Sequence, residues 1–203
     1  NDLGVNQSGS SYIKNLFENT RKERLANCPI TIKDIVRSFG PYNMDEQIFR
    51  NLDVAIDKLG SEKEVNTVLA SLVDKPTSDD FWILSHLIDL PSIDMKAKKP
   101  QVAAVVKSIE DKGLASKLNS EVCFLLKELH RARPDIAKEI MKDKTALIKR
   151  IMDEVDVQTG AHKYLGLQVL TKNIEQHSKF MRDNDLIKKA EKWINECQVP
   201  EDM

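Results

Sequence analysis

Residues 119 to 133 read Asn-Ser-Glu-Val-Cys-Phe-Leu-Leu-Lys-Glu-Leu-His-Arg-Ala-Arg, and Pro134 stops the run. Leu118, Val122, Leu125, Leu126 and Leu129 recur at helical spacing and make one apolar stripe. Asn119 or Ser120 is placed to cap the start, while Arg131 and Arg133 suit the negative end of the helix dipole. Helices of similar weight are expected about forty residues away on both sides, over Asp79 to Leu90 and over Gln158 to Gln176. A helix recurring at that interval predicts stacked helical repeats, whose periods run about 40 to 47 residues.

Composition agrees with an all-helical chain. Of 203 residues, 41% are hydrophobic and 31% charged, which is globular and not disordered. Aromatics make up only 5%, and β-branched runs of period two are missing, so all-β and Rossmann-like folds are poor readings. Lys plus Arg number 31 against 32 for Asp plus Glu, a formal net charge of −1, which disfavours a general nucleic-acid binder. Cys28, Cys123 and Cys197 are odd in number and far apart, which points to a reducing, cytoplasmic compartment, with the nucleus open. No apolar run approaches a membrane span. The chain starts at Asn1 and reads as a domain cut from a longer protein.

In chain order, residues 1–10 read as linker and 11–42 as an N-terminal helical cap, with helices over 11–27 and 31–39. Asn43 opens a helix to Leu59, Ser61 with Glu64 suggests a capping box for the next, and Thr77 or Ser78 opens the Trp82 helix. Residues 92–99 form the longest irregular stretch within the fold, and Pro100 starts a helix that Gly113 ends. After Pro134 come a short helix with Ile136 and Ile140, one over Asp143 to Asp156, and the helix to Gln176. Residues 177–203 read as a C-terminal capping helix and tail, with a turn over Phe180 to Asn184.

This order and period resemble the armadillo and HEAT-like repeat families over residues 43–176. The resemblance implies an armadillo-like right-handed superhelix in which the third helix of each unit lines a concave groove. On the helical wheel, Trp82 projects with Ser85, His86 and Asp89, away from Leu84, Leu87 and Ile88. Phe124 projects with Lys127, Glu128 and Arg131, and Tyr164 with Gln168 and Thr171. The expected partner-binding residues are therefore Trp82, His86, Phe124, Lys127, Arg131, Tyr164 and Gln168, with aromatic and Arg side chains as anchors. The register is imperfect: 82 to 124 is 42 residues, but 124 to 164 is 40. An importin-alpha-type groove pairs each Trp with an Asn four residues on; here those positions hold His86, Glu128 and Gln168, so recognition of nuclear localisation signals is not indicated.

The sequence carries no recognisable catalytic constellation. Ser85, His86 and Asp89 share a face of one helix, but triads gather their members from separate elements. His86, His130, His162 and His177 have no Cys or carboxylate at metal-ligand spacing, and no phosphate loop is present. His162 reads as a hydrogen-bonded core histidine, and Cys123 as a small hydrophobe. No cofactor, metal or catalytic role is expected. The reading is a non-enzymatic interaction scaffold that binds a protein or peptide. The alternative is an acidic filament such as tubulin, or nucleic acid, held by Lys96, Lys98 and Lys99 or by Lys142, Lys144, Lys149 and Arg150.

Overall fold

The computed structural model describes residues 62–91 and 93–197, which belong to one compact unit. The expected linker, N-terminal cap and Asn43 helix lie outside these residues. Among the described residues every regular element is a helix: α1 (Glu62–Asp74), α2 (Ser78–Leu87), α3 (Lys99–Asp111), α4 (Leu114–Lys117), α5 (Asn119–Ala132), α6 (Pro134–Met141), α7 (Thr145–Val157), α8 (Gly160–Asp183) and α9 (Leu186–Cys197).

Several boundaries follow from local chemistry. Thr77 opens α2, and the Asp80 carboxylate accepts from the Thr77 amide (3.2 Å), the Thr77 hydroxyl (2.7 Å) and the Ser71 hydroxyl (2.8 Å). These bonds satisfy the start of α2 and tie it to α1. Pro100 and Pro134 sit in the first turns of α3 and α6, where a missing N–H costs nothing. Gly113, at φ +63°, takes the left-handed turn between α3 and α4.

Two expectations change. Leu118, not Asn119 or Ser120, precedes α5; the Asn119 amide instead donates to the Ala115 carbonyl at 2.9 Å, and the Ser120 hydroxyl pairs with the His162 ring. Both capping side chains serve neighbouring helices. The turn expected at Phe180 to Asn184 falls at Asn184 and Asp185, after α8 ends at Asp183, and α8 carries in addition an unexpected break at His177, with φ −116° and ψ 18°. There Gln176 donates to the Lys138 carbonyl and the His177 Nε2 to the Met141 carbonyl, both at 2.8 Å. These are C-terminal carbonyls of α6, which have no acceptor role left within their own helix. The kink sits where two consecutive side chains turn to serve them.

Helices three places apart in chain order pack on one another. α2 lies on α5 and α5 on α8; α3 lies on α6; α4 lies on α7. The apolar stripes meet between these rows. Ile83, Leu84 and Leu87 of α2, Val122, Leu126 and Leu129 of α5, Ile148 and Ile151 of α7, and Val169 of α8 are all buried. Burying each such side chain contributes about 1.5–3 kcal/mol relative to leaving it in water. α9 closes against α7 and α8. Trp193 is buried and donates to Asp156 of α7 at 2.7 Å, where Lys189 also pairs at 2.5 Å. Ile187 and Ile194 of α9 remain 66% and 60% exposed.

Candidate functional site

The row formed by α2, α5 and α8 is stitched at both ends. At one end Ser78 donates to Glu121 (2.7 Å), and Ser120 of α5 pairs with His162 of α8, 42 residues on. At the other, Arg131 donates to Asp89 at 2.8 Å across 42 residues, and Asn173 to His130 at 3.0 Å across 43. A 42-residue register aligns Trp82, Phe124 and Gly166. Tyr164 stands two positions earlier, roughly 200° round the helix at 3.6 residues per turn. The 40-residue interval from Phe124 to Tyr164 is therefore a change of helix face.

The exposures follow. Trp82 and Phe124 are covered, at 6% and 7% exposed, whereas Tyr164 is 60% exposed. The Trp82 and Phe124 rings touch with centroids 4.5 Å apart and planes tilted by 45°. Such a pair contributes about 0.5–1.5 kcal/mol beyond its buried area. Gly166 marks a close approach of α8 to α7: a Cβ there would stand 2.5 Å from a Val155 methyl. Nothing in the spacing of apolar residues announced that close approach.

Five of the seven expected site residues gather at one place. Lys127 holds its ammonium 4.6 Å above the Phe124 ring, and the His86 ring centre lies 6.4 Å from it. Lys127 also pairs with Glu128 at 3.0 Å, and Arg131 with Glu128 at 2.7 Å. The hydrogen bond it donates to Asp89, together with its bond and charge pairing to Glu128, holds the Arg131 guanidinium above its ordinary range despite partial burial. The result is an aromatic pair roofed by alternating charges. Tyr164 and Gln168 lie on α8, and no ring contact or hydrogen bond joins them to this cluster among the described residues.

The Ser85 hydroxyl donates to the Phe81 carbonyl of its own helix at 2.7 Å, and Asp89 is engaged by Arg131, so the two point to different partners. Burial pushes the Cys123 thiol up to about 12, with Glu154 adding to the effect. Among the described residues no cluster of His, Cys, Asp and Glu could hold a metal ion, and no helix is long and apolar enough to cross a membrane. Within the lysine clusters, Lys99 pairs with Glu139 (2.6 Å), Lys144 with Glu110 (2.5 Å) and Lys149 with Asp153 (3.0 Å), while Lys98 donates to Asn66. The chain matches no protein-family model, no curated protein and no solved structure.

Proposed function

We propose that the chain is a helical-repeat interaction scaffold, an armadillo-like right-handed superhelix, that holds a protein or peptide partner along the row of α2, α5 and α8. The observation that supports this reading most is that helices three places apart pack on one another, α2 on α5 on α8, α3 on α6, and α4 on α7. Each three-helix unit then buries its apolar face only through its neighbours. The same row carries charged side chains about the Trp82–Phe124 pair and, on another face of α8, the exposed Tyr164. Lys127, Arg131 and His86 would meet the partner above the Trp82–Phe124 pair, and Tyr164 with Gln168 would meet it on α8. A cytoplasmic setting belongs to the same reading.

A photo-crosslinking side chain placed at Tyr164, and separately at Lys149 of α7, tests it in cells. Lys149 is an exposed position away from the row, paired within its own helix. Adducts with a defined partner at Tyr164 and not at Lys149 support the scaffold. Adducts at Lys149 alone, or none at either, contradict it.

A further inference from the structure

A cleft of about 260 Å3 opens where the α2–α3 connection meets the corner between α5 and α6. Asp94, Met95 and Lys96 line one side, and residues 132–136, with Arg133 among them, line the other. Arg133 is the distinctive group. Its Nε donates to the Ile88 carbonyl at 3.0 Å and one Nη to the Leu90 carbonyl at 3.3 Å. A guanidinium has five N–H donors. The two bonds fix its plane and leave three N–H groups with no acceptor among the described residues. Arg131, two residues earlier, meets two carboxylates; Arg133 meets none among the described residues.

The rest of the cleft adds to this. Lys96 is exposed and makes no ion pair among the described residues. One oxygen of Asp94 is occupied by the Lys96 and Ala97 amides, both at 3.1 Å. The first-turn amides of Asp135 and Ile136 have no backbone acceptor among the described residues. Met95 and Ile136 supply buried apolar wall on either side. An oriented guanidinium fork that pairs with no carboxylate among the described residues, beside an apolar wall, matches a planar oxyanion on a short aliphatic stem.

We propose that this cleft seats the carboxylate of an acidic side chain of a partner peptide, with Arg133 as its anchor and Lys96 as a second cation. This names the chemistry of one partner contact and rests on the scaffold reading above.

The test is an amide-resolved NMR titration of the full chain with N-acetylglutamate N-methylamide. The neutral glutamine analogue and inorganic phosphate serve as comparison probes. The glutamate probe is expected to shift the amides of Lys96, Asp135 and Ile136 saturably, with a dissociation constant of about a millimolar, the scale set by ligand efficiency for so small a molecule. The glutamine analogue is expected to leave them in place. Arg133→Gln should abolish the effect. Because Arg133 also ties the corner to α2, two further variants carry the decision if that one fails to fold. Lys96→Gln should weaken binding about threefold, and Asp135→Asn should tighten it about threefold, by the loss of one charge each at a partly solvated site. Equal responses to the glutamate and glutamine probes overturn the proposal. So does saturation by phosphate at lower concentration, or unchanged affinity in both charge variants. A null titration together with a Tyr164 crosslink removes the acidic anchor alone and leaves the scaffold standing.

Discussion

Gly166 sits on α8 with its missing side chain aimed at α7. A Cβ there would approach the Val155 methyl to 2.5 Å, and Val155 is buried. Gly166→Ala gains about 0.5–1 kcal/mol in helix propensity but loses about 1–3 kcal/mol to overpacking, so net destabilisation is expected in urea unfolding. Val155→Ala should relieve it in the double variant, and strict additivity would contradict the contact. His130 makes a second case. Burial, with the Lys172 charge, lowers its pKa from 6.5 to about 4. The folded chain thus keeps this ring neutral where the unfolded chain protonates it. Its stabilisation is complete above pH 6.5, is lost as pH falls towards 4, and should be missing from the melting profile of His130→Gln over that window. At this scale the sequence was partly legible. The stripe of Val122, Leu125, Leu126 and Leu129 was readable because periodicity alone defines it. Trp82 was not: its neighbours Ser85 and His86 look polar on a wheel, yet Ser85 satisfies its hydroxyl on Phe81 and is buried.

Among elements, α5 ran as its apolar pattern required, whereas the four-residue α4 is too short to carry any period. The break in α8 was equally unreadable, because it depends on where the carbonyls of α6 end. α9 is joined to α7 chiefly through Asp156, which receives Trp193 and Lys189. Burial acts to raise the Asp156 pKa, but those two bonds and the charges of Lys189 and Lys192 carry it net below the ordinary carboxylate range. Lys163 of α8 also pairs with Glu196. Asp156→Ala should therefore loosen α9 alone, by about 1–3 kcal/mol for a buried donor left without its acceptor. Hydrogen exchange of the α9 amides reads this directly. Faster exchange across the whole chain, with α9 unchanged relative to α5, would contradict the local tie.

For the molecule as a whole, the consequential feature is that α2 packs on α5 and α5 on α8, α3 on α6, and α4 on α7. Sequence spacing suggested the interval, but the face presented at each step came only from three-dimensional register, as the two-residue offset of Tyr164 demonstrates. Removing α9 should uncover the apolar side that α7 and α8 bury against Trp193, and light scattering should then report association. A truncated chain that stays monomeric with an unaltered Tm would contradict that closure.

The row of α2, α5 and α8 is closed at Trp82 and Phe124 and open at Tyr164. Thermal unfolding of Phe124→Ala beside Tyr164→Ala tests this most directly. Phe124→Ala should cost about 3–5 kcal/mol, as loss of a buried aromatic does. That corresponds to a fall of roughly 10 °C in Tm for a chain of this size. Tyr164→Ala should move Tm by less than about 2 °C, as expected of an exposed position. Equal, small shifts for both variants, or a larger shift for Tyr164→Ala, would contradict it.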